Sequence, residues 1–234
     1  MASIGCHARR EGSGHAAKRS RFLRGLILSS LCVLALGAGL RHALAAATWK
    51  TAIATVFWVG EAGTSDNGYV ANAASAWDGN WVKSFGGVDD PKDRCGFRPC
   101  GFTPKENPFY VALPYDDLTG RGTRKASAAV IPWRGIAGKS ALKNRWVAVR
   151  ADSRTCYGQW QDVGPFDTDD VAYVFGDAPE PRNKRLAAAG IDLSPALRDC
   201  LQVQSISKVT WRHVEETEVP EGPWREIVTR RPGP

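Results

Sequence analysis

Asp162-Val163-Gly164-Pro165-Phe166, followed later by Ile191-Asp192-Leu193-Ser194-Pro195, carries most of the structural information in this 234-residue chain. The first phrase closes the run Arg154 to Gln161, in which β-branched and aromatic residues mix with polar ones as in a strand. Gly164-Pro165 ends that run as a turn, so Asp162 is expected at a strand end. The second phrase is apolar and passes straight into a helix. Ser194 suits the N-cap, Pro195 the first helical position, and Ala196-Leu197-Arg198 follow as helix formers, with an expected end near Leu201. Asp192 reads as a residue serving the fold, because backbone donors are free at the start of that helix.

The order strand, Asp-x-Gly-Pro-Phe, loop, Ile-Asp-Leu-Ser-Pro, helix, strand resembles the core of the double-psi β-barrel family, to which rare lipoprotein A and the expansin-like proteins belong. The resemblance covers roughly residues 145–214, and Ala54 to Gly60 is similar to the aromatic first strand of those barrels. It implies a mainly β fold: a six-stranded double-psi barrel with long loops and one or two short helices. In the glycan-active members a groove lies beside the aspartate of the first phrase.

The remaining elements follow from pattern. Ala54-Thr55-Val56-Phe57-Trp58-Val59 is short, apolar and β-branched, as in a buried strand. Residues 61–105 are rich in Gly, Asp and Asn, a long insertion with one short helix expected around Asn72 to Trp77. Asn107 to Pro114 reads as a strand bounded by prolines, and Arg145 to Arg150 as one that forms a hairpin with the next through Asp152-Ser153. Val171 to Phe175 reads as a further strand. A helix over Arg182 to Ala189 is expected to stop at Gly190. Lys208 to Val214 closes the domain, and residues 215–234 read as a loosely attached tail in which Trp224 packs back.

The first 45 residues are of another kind. They combine Arg9, Arg10, Lys18, Arg19, Arg21 and Arg24 with the apolar run Gly25 to Leu40 and the small residues Ala43-Leu44-Ala45, as a secretory signal peptide does. A retained anchor is the competing reading, although the run falls short of the ~20 residues that span a bilayer. Losing this leader removes seven Lys/Arg and Glu11, so the formal net charge drops from +7 to +1. Charge therefore gives no case for nucleic-acid binding. The expected mature domain is 46–214, in a secreted or periplasmic setting.

Cys6 and Cys32 leave with the leader, and the favoured pairing of the rest is Cys95 with Cys100 and Cys156 with Cys200. A four-cysteine zinc site is the alternative, but the last two cysteines lack metal-ligand spacing. Asp167-Thr168-Asp169-Asp170 lacks the glycine and distal Glu of a calcium loop, so turn and cap duty is expected. No metal or cofactor is expected.

Of the four histidines only His213 survives the leader, in mid-strand, which leaves no serine triad. Carboxylates remain, and they suit glycosidic cleavage. The resemblance puts Asp162 at the position of the catalytic aspartate of lytic transglycosylase members. It points loosely to Glu106 as the second carboxylate, with Glu61 and Asp116 as rivals. The family's histidine beyond that glutamate has no counterpart, since Val111-Ala112-Leu113 is apolar. Trp160, Tyr110, Trp58 and Tyr157 are candidates for stacking on sugar rings. The expected function is cleavage of cell-wall glycan, with peptidoglycan as the polymeric partner. The alternatives are a non-catalytic expansin-like binding module and a disulfide-stabilised barrel that binds a protein.

Overall fold

The computed structural model describes residues 48–230, so the leader expected over 1–45 and the last four residues lie outside the described residues. Six strands close into a mainly β barrel: β1 (Lys50–Val56), β4 (Tyr110–Leu113), β5 (Trp146–Ala151), β6 (Arg154–Val163), β7 (Ala189–Leu193) and β8 (Ser207–Val214). Around the barrel the order is β1-β7-β4-β6-β5-β8. The β1/β7 and β4/β6 pairs are parallel and the other four antiparallel, so the sheet is mixed. Closure leaves the barrel no unpaired edge. A separate two-stranded ribbon, β2 (Arg94–Cys95) with β3 (Arg98–Pro99), carries the Cys95–Cys100 disulfide.

Alternation along the strands sorts side chains into two sets. Val111, Leu113, Val147, Val149, Ile191, Leu193, Trp160 and Trp211 belong to the main core, whereas Tyr110 and Ala112 turn the other way. There they pack with Phe57, Val59, Trp81 and Phe85 in a second cluster under the long insertion. The insertion is therefore anchored by aromatics. Its helix, α1 (Trp81–Phe85), is not the one expected at Asn72 to Trp77: the buried residues stand four apart, and Gly86 ends the helix at φ 109°.

Two further expectations change. Val171 to Phe175 is not a strand; α2 (Val171–Val174) forms because the Asp170 carboxylate accepts from the Tyr173 N–H at its N-terminus. No helix forms over Arg182 to Ala189, where Leu186, Ala187 and Ala188 have left-handed backbone, and Gly190 lies inside β7 instead of capping. The helix after β7 does form. In α3 (Pro195–Leu201) the Ser194 hydroxyl caps Leu197 N–H, and Cys156–Cys200 ties this helix to β6.

The tail is docked. Trp224 packs on Phe109 and Tyr157, and Gln159 exchanges two 2.9 Å hydrogen bonds with the Thr229 backbone. Asn107 Nδ2 donates to the Trp224 carbonyl.

Candidate functional site

The site begins with strand register. Ala112 of β4 lies opposite Asp162 of β6 on one side and Asp192 of β7 on the other, and Asp192 in turn lies opposite Thr55 of β1. Directly opposed residues in a sheet share a face, so Thr55, Asp192, Ala112 and Asp162 form one row across four strands. Asp162 should not be in that row by alternation, because Trp160, two residues earlier, points into the core. A register irregularity at Val111/Ala112 places Gln161 as an extra residue and turns Asp162 to the outer face. With alanine between the two aspartates, strands two apart bring their Cα atoms to roughly 10 Å, and the space above the methyl is left to the carboxylates.

Both aspartates line a cleft of about 550 Å³, with Trp58 and Glu61 among the residues of its walls. Asp162 Oδ1 accepts from the Ala76 N–H at 2.7 Å and its neighbour Val163 N–H at 2.8 Å. Burial pushes its carboxyl up to about 6, against the pull of those two donors. Asp192 accepts from the Thr55 hydroxyl. Burial pushes it up to about 7, the charges of Asp162 and Glu61 adding to the rise while Thr55 opposes it. A methyl at Gly164 would lie 3.2 Å from Asp192 Oδ2, so the glycine gives that carboxylate its room. The Gly164-Pro165 peptide is cis.

Two carboxyls that raise one another in one cleft lose their protons in separate steps. Asp162, with two backbone donors, is the one suited to carry the charge, and Asp192 the one suited to hold the proton. The bond that Asp192 makes is not at the expected helix start but with Thr55 of β1. Its carboxylate does not cap α3, a task that Ser194 performs alone with its own side chain. Asp162 in turn does not bond the Gly164 turn; its partners are Val163 and the insertion.

Glu106 lies elsewhere. Its Oε2 accepts from Trp81 Nε1 at 3.1 Å, and with Asp116 it lines a larger groove of about 1150 Å³, of which Ala76 is also part. Burial raises Glu106 too, and Lys143 lowers it. Glu106 and Asp162 therefore do not meet in one cleft, and Glu61 is the rival that joins the aspartates. Glu61 accepts from Asn72 Nδ2 at 2.8 Å.

Among the aromatic candidates, Trp58 lines the cleft. Trp160 and Tyr110 are fully buried and offer no ring face to a ligand. Tyr110 serves packing instead, its hydroxyl donating to Asp89 at 2.8 Å. Tyr157 packs against Trp224 with the rings tilted at 50°. Asp167 and Asp170 have local duties, pairing with Arg182 and capping α2. Both disulfides form as expected and fit an oxidising compartment. Among the described residues no helix is long and apolar enough to cross a membrane.

The rim holds residues that sequence reasoning missed. Among the described residues nine non-glycine residues have positive φ, and seven of them, Tyr69, Phe166, Leu186, Ala187, Ala188, Gln202 and Ile206, line the cleft or lie within two residues of its lining. Left-handed backbone costs such residues about 1–2 kcal/mol each, and strain of this kind gathers at functional sites. Three in succession, at 186–188, carry no glycine or asparagine that would have announced them.

No model of a known protein family matches the chain, and no curated protein does either.

Proposed function

We propose that this protein cleaves a cell-wall glycan, with peptidoglycan as the substrate, at the Asp162–Asp192 cleft. The observation that carries the reading is the register row: two carboxyls, raised to about 6 and about 7, flank Ala112 and face one cleft. The strand order and the two parallel pairs agree with the resemblance to the double-psi barrels, which supplies the glycan.

In this reading Asp192 gives its proton to the glycosidic oxygen as the bond to the anomeric carbon breaks. The Asp162 carboxylate faces the positive charge that develops there. The sugar's own hydroxyl then attacks the anomeric carbon and passes its proton to Asp162, so the pair ends with the one proton it started with. An anhydro-ended fragment is released, as in lytic transglycosylation. The row of side chains replaces the earlier pairing of Asp162 with Glu106.

Digestion of purified peptidoglycan sacculi with mass analysis of the products tests this. Anhydro-ended fragments are expected from the wild type, with release reduced by about 10²–10⁴ in Asp162→Asn and in Asp192→Asn. Full release by both variants would refute the assignment. Binding to sacculi without release by any form would favour the non-catalytic, expansin-like alternative.

A further inference from the structure

We infer that Arg185 is a specificity-determining residue that binds a carboxylate on the substrate, so that the cleft selects an acidic glycan over a neutral one. The inference rests on the glycan reading above and adds to it the charge of the substrate.

Arg185 immediately precedes the left-handed run Leu186 to Ala188, and Leu186 is itself part of the cleft wall. Its guanidinium lies over the ring of Phe166, 4.1 Å from the centroid, and Phe166 also lines the cleft, with φ 55°. One partner of this stack, Phe166, thus has left-handed backbone itself, and the other directly precedes a left-handed run. Such strain is sustained only where surrounding structure fixes it.

A neighbouring loop makes room for the same group. A methyl at Gly68 would stand 2.1 Å from Arg185 Nη2, and Gly68 belongs to the loop whose residues Thr64, Asn67 and Val70 line the cleft. The guanidinium therefore lies beside Gly68 of that loop, resting on the face of Phe166. That loop is tied by backbone bonds from Tyr69 N–H to the Thr64 carbonyl and from Asn72 N–H to the Glu61 carbonyl.

The charge of Arg185 is unspent. Three other cations near this rim are paired: Arg182 with Asp167 at 2.9 Å, Lys184 with Glu180 at 3.7 Å and Arg198 with Asp199 at 2.7 Å. Among the described residues Arg185 forms no ion pair, and its side chain is exposed. A planar guanidinium held over a ring presents its edge donors in a fork that matches a carboxylate. The buried acids of the cleft would repel such an anion, so the cation at the mouth determines where an acidic substituent comes to rest.

The test uses peptide-free peptidoglycan strands, whose lactyl carboxylates are exposed, and the same strands after carbodiimide-mediated amidation. Wild-type protein is expected to bind the carboxylate form roughly tenfold more tightly than the amidated form. Arg185→Gln should erase that preference and leave affinity for the amidated strands unchanged, Arg185→Lys should keep part of it, and Gly68→Ala should reduce it by displacing the guanidinium. Melting curves of each variant check that the fold persists. Preference retained in Arg185→Gln, or equal binding of both strands by the wild type, would overturn the inference while leaving the glycan reading in place. Failure of the wild type to bind either strand would sink both.

Discussion

Replacing Asp192 by asparagine should stabilise the protein at neutral and alkaline pH, and the gain should vanish in acid. The carboxyl rises from an ordinary 3.8 to about 7 in the fold, chiefly through burial. Between those two values the unfolded chain has released the proton and the folded chain keeps it. The folded state then binds more protons than the unfolded one, and stability falls as pH rises, by about 1.4 kcal/mol per pH unit. Carried across the whole interval, the loss is about 4 kcal/mol by pH 8. Asparagine keeps the shape and an oxygen to accept from Thr55, and it has no charge to bury. The stability difference between Asp192→Asn and wild type should therefore be small at pH 4, grow through pH 5 to 7, and level off near 4 kcal/mol above pH 8. Urea unfolding followed by tryptophan fluorescence at each pH measures it, and the chain has nine tryptophans. A difference that does not change with pH, or a variant less stable than wild type at pH 8, would refute the claim that this carboxylate is held in a site that resists its charge.

His213 should give the opposite slope. It is buried among Trp160, Phe175, Trp133 and Trp211, neither ring nitrogen has a protein partner among the described residues, and burial lowers it to about 3. Its contribution is complete above 6.5 and is lost as pH falls towards 3, so His213→Phe should flatten the acid limb of the unfolding profile without lowering stability at pH 7. Removing Cys156–Cys200 by a double change to serine should cost about 4 kcal/mol in urea unfolding, since that bridge closes a separation of 44 residues. Trp224→Ala should cost about 2–4 kcal/mol and raise amide exchange at Thr229, because the tail would lose its anchor on Phe109 and Tyr157. A loosely attached tail would show neither effect.

The barrel strands and α3 were legible in the sequence because several local signals agreed at each. At α3 the cap, the proline and the helix formers all point to one start, and the structure has it. The failures lie where a single residue outweighed the pattern around it. Val171 to Phe175 has the β-branched and aromatic composition of a strand, yet one bond from Asp170 starts a helical turn there. Residues 182–189 have helix-forming alanines, but Asp170 and Asp167 hold Arg182, and Asn183 holds the Ala189 carbonyl, before a helix can start. Asn183 is buried and accepts from Arg185 N–H as well, so the alanines follow a path set by hydrogen bonds. Helix propensity, worth a few tenths of a kcal/mol per residue, does not outweigh three such anchors.

The site was half legible for a related reason. Asp162 could be found because a turn follows it, and turns have sequence signatures. Asp192 reads as a helix-start residue because it stands two residues before Ser194, and sequence distance is the only distance a sequence offers. What brings the two together is a bulge, which has no composition of its own: Gln161 is an ordinary strand residue, and only its failure to pair shows that the register has slipped. If Gln161 were paired in regular register, Asp162 would follow Trp160 into the core among Trp160, Phe175 and His213. The carboxylate on the outer face meets Ala76 N–H from the insertion, so the long loop and the bulge act on the same oxygen. Deleting Gln161 would therefore remove the bulge and set Asp162 directly after Trp160, where plain alternation keeps the acid opposite Ala112 and facing Asp192; it is pairing Gln161 in regular register, with every residue retained, that would turn Asp162 inward.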